Sequence, residues 1–293
     1  MKNAYVEITN ICNLSCEFCP GHSRPRRHMS ASEFETVARK LDGKVENLFL
    51  HLMGEPLLHP DLEKIINAAD KMNVKLKITT NGTLLPLCTD ILKASEKLHT
   101  VSISLHSFAW NISGSMMEMK LEKYLRDTLE CAKQLAKSGK FVVLRLWDLE
   151  SDGSSGVKEF NDKVISLAKK FFPPEKNEWV QTHRGERIFD RIFIEWGERF
   201  TWPESGENGE IITHEDEISG KNCYGLRAQF GILSNGTVVP CCLDRNGDIP
   251  LGNIFESEIE DILSSPRAKA MREAMEKHRF TEPLCATCGF KRK

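Results

Sequence analysis

Six short segments alternate apolar and polar side chains with the two-residue period of a β-strand: Ala4–Thr9, Asn47–Met53, Lys75–Asn81, Thr100–His106, Phe141–Trp147 and Arg191–Trp196. The stretches between them keep helical spacing instead. Ser30, with Glu33 three residues on, makes a capping box that opens one helix. Pro60 is placed to start another, whose Leu62, Ile65, Ile66 and Ala69 form one apolar stripe. Further helices are predicted near residues 88–97 and 118–138. Repeated strand–helix units of this kind predict an α/β protein with a parallel sheet, open or curled into a full or partial barrel.

The strands choose between those forms. A parallel strand covered by helices on both faces is almost continuously apolar. Here one alternate set is polar in strand after strand: Glu7 and Thr9; His51; Lys77, Thr79 and Asn81; Ser102, Ser104 and His106; Arg145. The opposite set, as in Val101, Ile103 and Leu105, is apolar. The pattern predicts a partial (β/α)6 TIM-type barrel whose inner face meets a hydrophilic ligand. The other reading, that some of these polar residues sit at strand ends, accounts for one or two strands.

The tail changes character. After Ser151–Gly156 and one more helix, the charged stretch Pro203–Glu210 reads as a connector. From Cys223 onward, Asn235-Gly236 between short β-rich runs marks a hairpin, and helical segments follow near residues 256–263 and 266–277. Two domains are therefore expected: a barrel over residues 1–200, and a small α+β hairpin–helix domain over 201–293.

Composition and charge exclude more than they assign. Hydrophobic residues make up 40% and charged residues 28%, and no apolar run approaches the roughly eighteen residues that span a bilayer. The start MKNAYVEIT lacks the apolar core of a secretion signal, so a soluble, cytoplasmic protein with no membrane partner is expected. The formal net charge of −2 gives no footprint for long nucleic acid. The basic stretch Ser23–His28 reads as a solvated loop, with a clamp for a carboxylate or phosphate as its alternative.

Ten cysteines in reducing cytoplasm point to metal or redox chemistry rather than to disulfides. Cys12, Cys16 and Cys19 fall within eight positions, with no histidine among them. Structural zinc wants four closed ligands. A four-iron cluster held by three thiolates leaves one iron with an open position. The Cx3Cx2C spacing after a first strand resembles the radical S-adenosylmethionine (SAM) superfamily, as does Phe18 before the third cysteine. Met53-Gly54-Glu55-Pro56 after the second strand is similar to that family's GGEP motif, and Thr79-Thr80-Asn81-Gly82 after the third is typical of it. Met53 departs from the motif's first glycine.

The resemblance implies that SAM binds the open iron through its amino and carboxylate groups, and that an electron breaks the sulfonium to give methionine and a 5′-deoxyadenosyl radical. It implies roles too. Gly54, Glu55 and Pro56 meet the SAM amino group through backbone acceptors, Ser104 and Asn81 reach the ribose or methionine portion, and Arg145 pairs with the carboxylate. Ordinary inward-facing polar residues are the other reading of these last three. An electron donor such as flavodoxin or ferredoxin is implied as a partner.

Cys223, Cys241, Cys285 and Cys288 resemble the twitch domain, the short form of the SPASM extension, in which four thiols ligate one auxiliary 4Fe-4S cluster. A zinc ribbon is the other reading of this set. Cys88 and Cys131 read as buried small hydrophobes. Cys242 is left out, because alternation in a strand would point it away from its neighbour.

The expected substrate is a small polar metabolite over the barrel, met by His51, His106, Trp147 and Glu195. Overall similarity suggests a queuosine-salvage lyase that releases queuine. The alternatives are a dehydrogenase of an alcohol or aminocyclitol, a peptide- or protein-modifying maturase, and a non-catalytic metal-binding protein.

Overall fold

Strand β1 (Asn3–Val6) pairs in parallel with β2 (Asn47–Phe49) on one side and with β9 (Gln229–Ile232), from the far end of the chain, on the other. This computed structural model describes residues 1–109, 117–147, 155–174, 179–197, 202–204 and 223–290. Packing divides the chain into two units that do not follow its order. One comprises Met1–Ile11, Pro20–Lys75 and Phe200–Lys293; the other comprises Cys12–Cys19 and Leu76–Arg199. The connector expected at 203–210 lies outside the described residues from position 205 onward.

In the first unit the strand order is β11–β10–β9–β1–β2, with β10 (Thr237–Val239) and β11 (Gly252–Asn253) antiparallel to their neighbours. The predicted hairpin is β9–β10, and Gly236 takes a φ of 85° in its turn, a conformation that glycine adopts without a Cβ penalty. Helix α1 (Ala31–Leu41) opens on the expected capping box: Glu33 N–H donates to Ser30 Oγ at 3.2 Å, and Ser30 N–H donates to Glu33 Oε2 at 2.8 Å. Helix α2 (Leu62–Ala69) buries Leu62, Ile65, Ile66 and Ala69. Its cap is Asp61 rather than Pro60, which stands one residue earlier.

The second unit runs β3–β4–β5–β8–β7–β6. Its members β3 (Lys75–Thr80), β4 (Leu98–Ser104), β5 (Phe141–Trp147) and β8 (Ile192–Gly197) are parallel, and β7 (Gly185–Phe189) and β6 (Val180–Thr182) continue as an antiparallel edge. That edge was not foreseen. Helices α3 (Leu85–Ala94), α4 (His106–Ala109), α5 (Met117–Lys137) and α6 (Ser155–Phe171) connect the strands, and α5 packs on α3, β5 and α6. Val101, Ile103, Val142, Leu144, Ile192 and Ile194 are fully buried on one face, each contributing about 1.5–3 kcal/mol by leaving water. Cys88 and Cys131 lie buried in α3 and α5, as read.

The polar alternate set divides. Lys77, Thr79, Ser102, Ser104 and Arg145 lie within strands and are half-exposed or exposed, as the pattern predicts. Glu7, Thr9, Asn81 and His106 lie beyond the strand ends and are buried, and His51 follows β2 half-buried. For these five, alternation is not what sets their environment. They belong to the segments that leave the strands, and their hydrogen bonds are made there. Among the described residues, no helix is long and apolar enough to cross a membrane. Three further helices, α7 (Ile259–Leu263), α8 (Pro266–Glu276) and α9 (Pro283–Ala286), end the chain.

Candidate functional site

The three-cysteine loop is closed at its base by its own two stems. Ile8–Asn10 leaves β1 and His22–Met29 returns alongside it: Thr9 bridges His28 antiparallel, Met29 N–H donates to the Ile8 carbonyl at 2.8 Å, and Asn10 N–H donates to the Arg27 carbonyl at 3.3 Å. Asn10 adds side-chain bonds, from Nδ2 to the Pro25 carbonyl at 2.9 Å and from Arg27 N–H to Oδ1 at 2.8 Å. Closing the ends of the eleven-residue excursion over 11–21 lowers its conformational freedom.

Glu7 anchors this base. Arg24 grips it with two nitrogens at 2.8 and 2.6 Å, and the N–H groups of Ser234 and Met53 donate to the same carboxylate at 3.0 and 3.3 Å. Glu7 is fully buried. The solvated-loop reading of Ser23–His28 is thereby corrected: Arg24 clamps Glu7, and Arg27 clamps Glu33 at 2.7 Å. The carboxylate clamp, the second reading of this stretch, is the one the structure makes; alternation alone does not choose it, because a carboxylate at an alternate strand position looks the same whether water or a guanidinium meets it. The nearby arginine run was the available signal.

Gly54 fits against this base. At a φ of 76° it lies so close to the outgoing stem that a Cβ there would stand 2.4 Å from the Thr9 carbonyl oxygen. Glu55 N–H donates to the Ile11 carbonyl at 2.9 Å, and the buried Glu55 carboxylate accepts from Leu57 N–H at 3.0 Å, starting a short turn at Pro56–Leu58. Met53 is itself buried, and the close backbone approach is made by Gly54.

Within the second unit, Cys12 and Cys19 are exposed and Cys16 is half-buried. Leu14 N–H points at Cys12 Sγ at 3.4 Å, and Cys16 Sγ donates to the Ser107 carbonyl at 3.6 Å. Asn81 holds the loop: its Nδ2 donates to Asn13 Oδ1 at 2.9 Å and approaches Cys12 Sγ at 3.9 Å, while its Oδ1 accepts from Thr83 N–H and Oγ1. Tyr124 Oη donates to the Asn81 carbonyl at 2.7 Å. The amide of Asn81 is thus engaged with the cysteine loop.

Phe18 sets its edge against two rings, His106 at 5.3 Å and Trp147 at 4.2 Å between centroids, and those two stack on one another. His106 Nδ1 lies 3.2 Å from the Arg145 carbonyl. Burial first, and then the Arg145 charge, pull the His106 pKa down to about 4, against that hydrogen bond, so the ring is neutral near pH 7. Ser104, Arg145 and Glu195 form a row across β4, β5 and β8, in register. Of the four substrate-pocket candidates, His106 and Trp147 meet in one stack, Glu195 stands half-buried in the polar row, and His51 sets its edge on Tyr5 and Phe49 in the other unit.

The four later cysteines line one apolar pocket, with Leu243, Ile249, Phe280 and Leu284 among its walls. Burial pushes the Cys223, Cys241 and Cys285 thiols upward; neighbouring Cys242 and Cys285 push Cys241 further, and Cys223 and Cys288 do the same to Cys285. Three thiols that cannot comfortably ionise alone, lining one pocket with a fourth, suit a cationic metal centre, whose charge supplies what burial withholds. Gly225 N–H points at Cys223 Sγ at 3.3 Å, as Leu14 N–H does at Cys12. Among the described residues, no three His, Cys, Asp or Glu side chains already surround a single ion position. Cys242 lies past the end of β10 in a turn, so strand alternation is not what sets it apart; it simply does not line the pocket.

Both cysteine sets fall within stretches that match known families. Residues 6–150 match the radical SAM superfamily, and residues 223–289 match SPASM, an iron–sulfur cluster-binding domain. The antilisterial bacteriocin subtilosin biosynthesis protein AlbA of Bacillus subtilis is 27% identical over 98% of this chain and 66% of its own length. The AdoMet-dependent heme synthase of Methanosarcina barkeri is 23% identical over 97% and 86%. The sporulation killing factor maturation protein SkfB of Bacillus subtilis is 22% identical over 89% and 64%. The chain therefore spans about two thirds of the length of AlbA and of SkfB. Among solved structures, SuiB of Streptococcus suis bound to S-adenosylmethionine superposes with a TM-score of 0.60 at 18% identity, covering 98% of this chain and 70% of that one. BtrN in complex with AdoMet and 2-DOIA gives 0.53 at 17% identity, covering 98% and 92%. These likenesses bear out the expected fold class, α/β with a partial barrel and a C-terminal auxiliary domain.

Proposed function

The chain belongs to the radical SAM superfamily and carries a SPASM iron–sulfur domain, and from that premise we propose that it abstracts hydrogen from a residue of a peptide substrate. When bound, SAM and two 4Fe-4S clusters supply the electron and the hydrogen-abstracting radical. Cys12, Cys16 and Cys19 would hold the first cluster, and Cys223, Cys241, Cys285 and Cys288 would hold the second. Gly54, Glu55 and Pro56 would offer backbone acceptors to SAM, and Asn81 positions the cysteine loop. Phe18, kept in place by His106 and Trp147, gives an apolar surface beside Cys19. Ser104 and Arg145 supply polar groups from the polar row.

The observation that carries the reading is that the chain holds both a three-thiol loop, closed at its base by its stems, and a four-thiol pocket. Zinc in both places would not need the first site one ligand short. Support for a peptide comes from two relatives named for bacteriocin biosynthesis and for killing-factor maturation. Those relatives weigh against the small-metabolite expectation, queuine release included.

The test is anaerobic reconstitution with iron, sulfide and zinc assays, followed by 5′-deoxyadenosine production under dithionite. Peptides are expected to stimulate that production. Stimulation by nucleosides or aminocyclitols, with none by peptides, would return the substrate to a small molecule, and zinc in place of iron would remove the reading altogether.

A further inference from the structure

The short loop that carries Cys241 has two sides. On one it walls the four-thiol cavity, through Cys241, Leu243 and Asp244. The buried Asp244 carboxylate accepts the N–H groups of Asp248 and Ile249 at 2.8 and 2.9 Å, which folds Ile249 back into the same wall. Arg245 Nη1 donates to the carbonyl of Pro203, another wall residue, at 2.8 Å. On its other side the loop holds the returning stem of the three-cysteine loop. Asn246 Oδ1 accepts Ser23 N–H at 3.0 Å and Ser23 Oγ at 3.2 Å, and the Arg245 carbonyl accepts Arg24 Nε at 2.7 Å. Arg24 is the same residue whose two other nitrogens grip Glu7, and its side chain is only 10% exposed.

We propose that these joints make Asn246 and Arg24 positioning residues through which filling of the auxiliary cavity orders the loop of the first cluster. This rests on the metal-binding reading of both cysteine sets. Residues 240–251 contain no regular strand or helix, so the loop's shape depends on the Asp244 turn and on whatever binds Cys241. When the loop shifts, Ser23 and Arg24 lose their acceptors four and five residues beyond Cys19. Arg24 cannot follow the loop without abandoning a fully buried carboxylate, which is strongly unfavourable. The stem is therefore held between Glu7 and Asn246. Coupling of this kind is reciprocal, so loading the first cluster tightens the auxiliary site by the same factor.

The experiment uses the full chain and measures alkylation rates of Cys12, Cys16 and Cys19 by mass spectrometry, before and after anaerobic reconstitution, together with iron per chain. In the unreconstituted protein, Asn246→Ala is expected to raise alkylation of those three thiols several-fold, and Asn246→Asp, which keeps the acceptor oxygen, to restore the wild-type rate. In the reconstituted protein, Cys285→Ala is expected to raise the same rates, and to add little on top of Asn246→Ala. Equal rates in wild type, Asn246→Ala and Cys285→Ala would overturn the coupling. So would Asn246→Asp behaving as Asn246→Ala does. Failure of the cluster reading appears separately, as low iron and sulfide in reconstituted wild type, and leaves the Asn246 comparison readable.

Discussion

His106 stacks on Trp147 with ring centroids 4.3 Å apart and planes 17° from parallel. The pair forms a shelf against which Phe18 sets its edge, next to Cys19 in sequence, so two residues that look like substrate ligands act first as packing. Removing Trp147 as alanine is expected to destabilise the metal-free chain by about 1–3 kcal/mol, less than a core truncation because the ring is half-buried. Urea unfolding checks this, and Trp147→Phe, which keeps a stacking ring, should recover most of the loss.

The same shelf gives a pH dependence with a defined sign. The His106 pKa falls from 6.5 to about 4 on folding, so between those values the unfolded chain binds more protons than the folded one. Stability contributed by the neutral ring is complete above pH 6.5 and is lost as pH falls toward 4, by about 3 kcal/mol across the window. Chemical denaturation of metal-free protein at pH 7, 5.5 and 4.5 should show that slope, and His106→Phe should flatten it.

Gly54 and Gly21 make a matched pair. Both have positive φ, 76° and 62°, but a Cβ at Gly54 meets the Thr9 backbone while one at Gly21 meets nothing within 4 Å. Gly21→Ala is expected to cost about 1 kcal/mol, the conformational penalty alone. Gly54→Ala should cost about 2–4 kcal/mol because the stem must also move. Equal costs in thermal or urea unfolding would contradict the contact.

Arg24 and Glu7 form a buried pair, and breaking it from one side leaves an uncompensated charge. Arg24→Met is expected to lose about 3–5 kcal/mol, and adding Glu7→Gln to it to return part of that loss. The double-mutant cycle measured by urea unfolding reads the coupling directly.

Cys16→Ala should abolish SAM cleavage, since two thiolates hold the first cluster poorly, and should lower iron per chain. Cys88→Ala, at a buried position in α3, should leave iron content unchanged. Measured 5′-deoxyadenosine from the Cys16 variant at the wild-type rate would end the assignment of the first cluster.

Much of the site is written in local spacing. Cys12, Cys16 and Cys19, the Gly54-Glu55-Pro56 run and the Asn81-Gly82 turn are short-range features, and each lies just after a strand whose period is visible in the residues themselves. The hairpin turn at Asn235-Gly236 and the capping box at Ser30 were legible for the same reason: their hydrogen bonds close within a few residues.

What the chain's order could not reveal is which distant segments meet. Periodicity marked Glu7 as polar and the other face of β1 as apolar, and that much was determined by the residues alone. Only the tertiary structure decided that Glu7 is sealed by Arg24 and Ser234, that β9 returns more than two hundred residues later to lie beside β1, and that His106 and Trp147 close on Phe18. Such pairings depend on long-range packing, in which a polar side chain finds whatever donor the rest of the fold carries to it, and no local pattern encodes that partner.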